Sequence, residues 1–217
     1  MGPRLRFLVP PVLSACAMLV GAPARAQTST LHANPEHGKA ISYTCLGCHG
    51  IKGYRNAYPN YEVPKLEGQY PEYLVAALQE YKNGERSHTT MHSQAASLSE
   101  QDMADVAVYF AGKPLQPTAA PASAHTAPQS AAVCVACHGT NGIGIVNMYP
   151  TLAGQHADYL VQAIEEYKSG SRKHPVMDAM AAQLKESDVR QIADFYSSLS
   201  PSLHTLERPY TRLTLEH

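Results

Sequence analysis

Apolar residues recur at intervals of three and four along two stretches in each half of the chain. This spacing places them on one face of an α-helix, whereas a half-buried strand would alternate apolar and polar residues. The sequence offers no convincing strand, so it predicts an all-α fold. The four apolar faces comprise Tyr70, Tyr73, Leu74, Ala77, Leu78 and Tyr81; Met103, Val106, Ala107 and Phe110; Tyr159, Leu160, Ala163, Ile164 and Tyr167; and Val189, Ile192, Ala193 and Tyr196.

Residues at the ends of these stretches define the predicted helices of the first half. Pro71 stands near the start of the first apolar face, and Gly84 is placed to end that helix. Ser99 and Asp102 have the spacing of a capping box. Asn34, followed by a proline and a glutamate, predicts a further helix that runs towards residue 45.

The two halves of the chain are copies of one unit. Over the range 65–91, 14 of 27 positions match the residues 86 places further on. The offset is 89 between Cys45 and Cys134, so a loop between residues 49 and 64 is three residues longer in the first copy. Self-similarity of this length predicts duplication of a whole domain rather than a solenoid.

Composition marks the boundary between the copies. Residues 112–128 are rich in proline, alanine, serine and threonine and lack a hydrophobic period, which predicts a semi-extended linker. Each flanking domain is small, so a covalently held group would stabilise its thin core. The predicted organisation is a signal peptide at 1–26, a first domain at 27–111, the linker at 112–128, a second domain at 129–200 and a C-terminal tail at 201–217.

The N-terminal residues predict export from the cytoplasm. Arg4 and Arg6 precede an apolar run over 7–22, and Ala24-Arg25-Ala26 fits a small-x-small cleavage site, so we expect cleavage after Ala26. The apolar run is too short for a comfortable membrane span. Two alternatives stay open: lipoprotein processing at Cys16, and retention of the uncleaved segment as a weak anchor.

The net charge argues against two kinds of negatively charged partner. The formal net charge is −1, and removal of the signal leaves 14 basic and 18 acidic side chains. A chain with no strong positive field is not expected to bind nucleic acid or an acidic membrane surface. Removal of the signal also takes away Cys16, which leaves four of the five cysteines.

Those four cysteines form the same motif in each half. Cys45 and Cys48 precede His49, and Cys134 and Cys137 precede His138. Two thiols three residues apart can add to the two vinyl groups of one haem, and the following histidine then faces the iron. The sequence therefore predicts two covalently attached haem c groups, with the four cysteines as attachment points and the two histidines as iron ligands.

Three other uses of such a cysteine pair are zinc binding, dithiol redox chemistry and structural disulfides. A four-cysteine zinc site needs both pairs in one domain, yet each copy carries a single pair. A thioredoxin-like pair would lie in a βαβ setting, which the pattern does not provide. Haem attachment is therefore the favoured interpretation.

Each iron also needs a sixth ligand or an open face. Met91 and Met177 occupy matching positions of the repeat, between the second and last helices of their domains, in a stretch with few helical features. A methionine ligand raises the potential of a haem and suits electron transfer. The repeat favours Met177 over Met180, because Gln94 stands where Met180 does. The competing side chains are Met148, Met180, His88, His92 and His174.

Further residues are candidates for the surroundings of the haems. The carbonyl groups of Pro64 and Pro150 can accept a hydrogen bond from the axial histidines. Arg86, Arg172, Gln69 and Gln155 are candidates to bind haem propionates, with solvation at the surface as the alternative for the arginines. Four tyrosines are assigned to the helix core: Tyr73, Tyr81, Tyr159 and Tyr167.

Together these motifs resemble the dihaem cytochromes c4. The resemblance rests on Cys-x-x-Cys-His-Gly, Pro-x-Leu-x-Gly-Gln and Tyr-Lys-x-Gly in both halves, and on a methionine seven residues before the leucine that precedes the last helix. That methionine is Met91 before Leu98 in the first half, and Met177 before Leu184 in the second. The resemblance covers residues 38–199.

The resemblance implies two tandem class I cytochrome c domains, packed about a pseudo-twofold axis with the propionate edges facing each other. It implies an electron-transfer protein of the bacterial periplasm, not an enzyme and with no catalytic residue, often in loose association with the membrane. Its partners would be a redox protein donor and an acceptor, such as a terminal oxidase. The alternatives are the cytochrome subunit of a periplasmic dehydrogenase and a dihaem peroxidase-like enzyme, which needs one accessible sixth position.

Overall fold

A computed structural model describes residue 2 and residues 32–117 and 126–207. The predicted signal peptide, the alternative at Cys16, the middle of the predicted linker and the end of the tail lie outside these residues. Among the helices that are described, none combines the length and the apolar character that a membrane crossing requires.

The described residues form two helical domains, as predicted. The helices of the first domain are α1 (Pro35–Ile41), α2 (Leu46–His49), α3 (Pro71–Asn83), α4 (Thr89–Ala96) and α5 (Glu100–Ala111). Those of the second are a 3-10 helix (Gln129–Ala131), α6 (Val135–His138), α7 (Ala157–Ser169), α8 (Pro175–Ala181) and α9 (Glu186–Ser197).

The predicted helix ends are confirmed. Asn34 Oδ1 accepts hydrogen bonds from two backbone N–H groups at the start of α1, at 3.0 and 3.2 Å. Gly84 ends α3 with φ of 78°, a conformation that glycine adopts without steric cost. Ser99 and Asp102 form the capping box of α5. In α9, where Lys185 replaces the serine, its backbone N–H still donates to Asp188, at 3.3 Å.

Two expectations about secondary structure are wrong. The longer loop of the first domain contains two antiparallel strands, β1 (Arg55–Asn56) and β2 (Tyr61–Glu62). Strands of two residues are too short to produce a recognisable alternation. The stretches that carry the two methionines are helical, as α4 and α8. Their N-caps are histidines rather than the serine, threonine, aspartate or asparagine that usually mark a helix start.

Each domain has its own apolar core. In the first domain the core lies between α3 and α5, and α1 crosses α5 at Gly38. A Cβ at Gly38 would clash with the backbone of Asp105, so the crossing requires glycine. In the second domain the short 3-10 helix takes the place of α1 and packs on α9 through Ala131.

The two domains meet through reciprocal contacts. Arg86 and Arg172 pair as an antiparallel bridge between the segments that follow α3 and α7. Beside this bridge, Ser87 N–H donates to the Ser171 carbonyl at 2.7 Å. Because residues at matching repeat positions face each other, the two domains are related by a pseudo-twofold axis.

Two non-repeated segments reinforce this interface. The longer loop of the first domain contacts the start of α7, where Arg55 donates to Asp158 at 2.7 Å. The tail runs back to the first domain: Glu67 and His204 exchange backbone hydrogen bonds of 3.1 and 3.0 Å, and Leu206 packs on the first core. The departures from the repeat are therefore parts of the domain interface.

Candidate haem sites

One-turn helices position each cysteine pair and the histidine that follows it. In α2 and α6 the histidine N–H donates to the carbonyl of the first cysteine at 2.9 Å, in both domains. This turn brings the two cysteine side chains, three residues apart, onto one face. None of these four cysteines is paired in a disulfide, so all four sulfur atoms are available for attachment to haem.

The hydrogen bond at Nδ1 fixes the tautomer of each histidine. His49 Nδ1 lies 3.0 Å from the carbonyl oxygen of Pro64, and His138 Nδ1 lies 3.0 Å from that of Pro150. A carbonyl only accepts, so Nδ1 carries the proton and Nε2 keeps its lone pair. This is the arrangement of a histidine that ligates a metal through Nε2. The predicted role of the two proline carbonyls is confirmed.

Burial keeps both imidazoles neutral. It lowers the pKa of His49, while the bond to Pro64 opposes that change and the nearby His88 adds to it. Burial likewise lowers the pKa of His138 against the effect of the bond to Pro150. A neutral imidazole is the form that binds a metal, so both side chains are competent ligands near neutral pH.

Aromatic rings hold the two imidazoles in orientation. Phe110 of α5 meets His49 edge to face, with ring centroids 6.2 Å apart. Tyr196 of α9 meets His138 in the same way at 6.4 Å. The last helix of each domain thus packs a ring against the histidine and restricts the rotation of its imidazole.

A cavity of about 450 Å³ in the first domain contains the predicted site. Its wall includes Cys45, Cys48, His49 and Met91, so the structure brings together the four residues that the sequence assigned to the first haem. Apolar side chains of α3 and α5 form much of the rest of the wall, together with several polar side chains. Residues 150–152 of the second domain also line it, which places the site at the domain interface. A largely apolar pocket whose wall contains two thiols, an imidazole and a thioether fits a covalent haem.

The histidines that compete with the methionines cap helices instead. His88 Nδ1 accepts from Met91 N–H at 3.2 Å, and His174 Nδ1 accepts from Met177 N–H at 3.4 Å. In the neutral imidazole an accepting Nδ1 leaves the proton on Nε2. That nitrogen then has no lone pair for iron, so the geometry disfavours ligation by two histidines. The third competitor, His92, is exposed and donates to the Tyr81 carbonyl.

Exposure separates the methionines of the second domain. Met148 is 57% exposed and Met180 is 38% exposed, whereas Met177 is half-buried at the start of α8. The position of Met177 in α8 matches that of Met91 in α4, each three residues after the capping histidine. The structure therefore favours the same methionine as the repeat does.

The arginines and tyrosines lie at the domain interface. Arg86 and Arg172 are buried, so solvation at the surface is wrong for both. Arg172 Nη2 donates to the Tyr73 hydroxyl at 3.0 Å, and Arg86 forms an ion pair with Glu80. Burial raises the pKa of Tyr73, but the two arginines outweigh it, so the net effect is a lower pKa. Tyr73 packs on the first core, as assigned, and the rings of Tyr73, Tyr81 and Tyr167 also lie against the two buried arginines.

The two glutamines take a role that the sequence does not reveal. Gln69 donates to the Thr151 carbonyl at 3.0 Å and accepts from Thr151 N–H at 2.9 Å. Gln155 makes the same two bonds to Lys65, both at 3.0 Å. Each glutamine therefore binds the backbone of the other domain. Their equivalent positions in the repeat are a signal, but a sequence does not tell which partner a glutamine meets.

Comparison with known proteins supports the resemblance to c-type cytochromes that the motifs indicate. A family model described as Cytochrome c matches residues 35–112 and 127–200. Cytochrome c4 of Pseudomonas aeruginosa is 31% identical over 179 residues, which cover 75% of this chain and 87% of that protein. The crystal structure of reduced recombinant cytochrome c4 from Pseudomonas stutzeri has a TM-score of 0.61 and 28% identity, and covers 80% of this chain and 100% of that one. A thiosulfate dehydrogenase electron acceptor of Stutzerimonas stutzeri is 27% identical over 205 residues, 87% of this chain and 94% of that protein.

Since both halves match one family model, the chain is a c-type cytochrome with two class I domains and two covalently attached haem c groups. Within that class it belongs to the dihaem cytochrome c4 family. It is therefore an electron carrier, and the resemblance inferred from its motifs is confirmed.

Proposed function

We propose that His49 and Met91 are the axial ligands of the first haem and His138 and Met177 those of the second. The thiols of each Cys-x-x-Cys pair form the thioether links. The observation that carries this proposal is that both thiols, the imidazole and the thioether of the first domain line one cavity. The repeat extends it to the second domain.

The residues around each site suit electron transfer without substrate binding. Each bound haem supplies a one-electron couple between ferric and ferrous iron. The proline carbonyl holds the axial imidazole in one tautomer. The helix capped by His88 or His174 holds the methionine. Because the imidazole and the thioether would both come from the protein, neither oxidation state would need a new ligand, so little rearrangement would accompany the transfer.

The location and the direction of transfer are part of this proposal, and the direction rests on the resemblance to the cytochromes c4. The N-terminal export pattern supports a location in the periplasm. There the protein would take electrons from a respiratory donor and pass them to a terminal oxidase. Cytochrome c4 relatives support the carrier role, and the partners are redox proteins. The domain bounds of 27–111 and 129–200 and cleavage after Ala26 belong to this proposal.

A second candidate is the cytochrome partner of a periplasmic dehydrogenase. One relative that shares most of its length with this chain is a thiosulfate dehydrogenase electron acceptor. Its haem ligation would be the same, so the two candidates differ only in the donor. Reduction of the purified protein by a thiosulfate-oxidising enzyme, measured against reduction by a quinol-oxidising one, separates them.

A carbon monoxide difference spectrum of the dithionite-reduced, haem-loaded protein tests the ligation. Six-coordinate haems bind no carbon monoxide, and this is the expected result at both sites. Stoichiometric binding at one haem would mean an open or labile position. That outcome would contradict the carrier proposal and favour a peroxidase-like enzyme.

A further inference from the structure

One peptide group joins the first haem site to the second domain. The carbonyl of the Pro64–Lys65 peptide accepts from His49 Nδ1 at 3.0 Å. The N–H of the same peptide donates to Gln155 Oε1 of the second domain at 3.0 Å. A continuous chain of hydrogen bonds therefore runs from the axial imidazole of one domain, through a single peptide plane, to a side chain of the other.

The second domain has the same arrangement, with the roles of the two domains exchanged. The carbonyl of the Pro150–Thr151 peptide accepts from His138 Nδ1 at 3.0 Å. Its N–H donates to Gln69 Oε1 of the first domain at 2.9 Å. We call these two chains the crossed peptide links.

Each crossed link is held rigidly. The glutamine also donates from Nε2 to the carbonyl of the same residue, Lys65 or Thr151, at 3.0 Å. Its oxygen accepts a second backbone N–H, from His156 in one link and Tyr70 in the other, at 3.1 Å. Gln69 and Gln155 are 3% and 5% exposed. Because water does not compete there, the pairing persists in solution.

A hydrogen bond at the N–H of a peptide polarises its carbonyl. Chains of such bonds strengthen one another, by roughly 10–30% per bond in condensed phases. The carbonyl that accepts from an axial histidine raises the basicity of that ligand. A more basic imidazole favours ferric iron and so lowers the potential of the haem.

We propose that Gln155 and Gln69 are positioning residues through which each domain sets the reduction potential of the haem in the other domain. The proposal rests on ligation by His49 and His138 as given under the proposed function. It makes the interface part of the electronic surroundings of both irons. Separation or shearing of the domains would then raise both potentials.

The test uses Gln155→Leu and Gln69→Leu in the full-length, haem-loaded protein. Each haem is assigned by its nuclear Overhauser contacts to Phe110 or Tyr196, and its potential is measured by titration. For Gln155→Leu we expect the ferric-to-ferrous ratio of the first-domain haem, measured at a fixed applied potential, to fall about threefold. At 59 mV per tenfold change, this corresponds to a rise of about 30 mV in the reduction potential of that haem. The second-domain haem should not change. Gln69→Leu should raise the potential of the second-domain haem and leave that of the first-domain haem unchanged.

A second readout does not depend on redox activity. Amide exchange at Lys65 should accelerate at least tenfold in Gln155→Leu, while exchange at Thr151 stays slow. If Gln155→Leu fails to retain haem, Gln155→Glu keeps an acceptor oxygen for Lys65 N–H. In that variant we expect the Lys65 amide to stay protected and the first-domain potential to fall, and a rise would overturn the proposal.

Tyr70→Phe is the matched control. It removes a different hydrogen bond across the same interface, from Tyr70 to the Gly144 carbonyl at 2.8 Å, and leaves both crossed links in place. Neither potential should move. Two results with the glutamine variants would refute the crossed links: a potential shift only in the haem of the mutated domain, or equal potential shifts in both haems. A similar potential shift in Tyr70→Phe would refute them as well. Carbon monoxide binding in the wild type would instead indicate failure of the proposed ligation.

Discussion

The backbone N–H of Met91 donates to Nδ1 of His88 at 3.2 Å. This bond starts α4 and at the same time occupies the one nitrogen of His88 that has a lone pair. The same relation joins Met177 to His174 in α8. A histidine three residues before each methionine therefore acts as a helix cap, and the methionine is left as the ligand candidate.

Met91→Ala and Met177→Ala should each open one haem. Loss of the thioether is expected to lower the potential of that haem by on the order of 0.1 V, within the range of about 0.8 V that axial ligands span. The reduced variant should also bind one equivalent of carbon monoxide. Spectroscopy with redox titration measures both effects. Met148→Ala, at an exposed position, is the control, and an unchanged haem in either ligand variant would remove that methionine from the site.

Gly38→Ala should destabilise the first domain. The new Cβ would meet the Asp105 carbonyl where α1 crosses α5. Overpacking of this kind costs about 1–3 kcal/mol. Urea unfolding of the haem-loaded protein, followed by circular dichroism, measures the change in free energy. Lys39→Ala, on the exposed side of the same helix, should stay within about 0.5 kcal/mol of the wild type.

Asp105 makes the stability of the first domain depend on pH. Burial opposes ionisation of this carboxyl, but hydrogen bonds from Asn34 N–H, Gln101 and His37 outweigh it and lower its pKa below 3.8. Because the folded pKa lies below the unfolded one, the stabilisation is complete above about pH 4–5 and is lost as the pH falls through the folded value. These bonds connect the start of α1 to α5.

Asp105→Asn should therefore lower the free energy of unfolding at pH 7 by about 1.5–3 kcal/mol, the range for hydrogen bonds to charged groups. The difference from the wild type should shrink as the pH is taken below 3.8, the ordinary value for an aspartate. Denaturant unfolding at a series of pH values measures it. The repeat counterpart, Gln191, is exposed, so Gln191→Ala should show a small difference that does not vary with pH. If the free energy of unfolding of Asp105→Asn stays below that of the wild type by the same amount at every pH, titration of Asp105 does not explain the difference.

Tyr73→Phe should weaken the domain interface. The change removes the hydroxyl that accepts from buried Arg172 at 3.0 Å, and a buried donor without its partner costs about 1–3 kcal/mol. We expect a lower free energy of unfolding and faster amide exchange at Ser87 and Lys173, whose N–H groups bond across the interface. Tyr109→Phe, on α5, is the control. Unchanged exchange at both amides would show that Tyr73 does not support the interface.

Much of each domain was predictable because its determinants are adjacent in sequence. Capping at Ser99, termination at Gly84 and the geometry of Cys45, Cys48 and His49 depend on residues within one or two turns. The short strands near Arg55 were missed, because two-residue pairs follow from packing against the second domain rather than from local pattern.

The sequence alone determined the class of fold, the duplication and the chemistry of haem attachment. The attachment could be predicted because two thiols and a histidine at fixed spacing lie within one helical turn, whatever the rest of the chain does. Only the tertiary structure decided what Arg172 and Gln155 do. Both are polar residues in helical domains, and their sequence is equally compatible with solvent, a propionate or a backbone partner. Their burial against Tyr73 and Lys65 depends on how two domains pack. That packing is set by the sum of many weak contacts between residues distant in the chain, which no local pattern records.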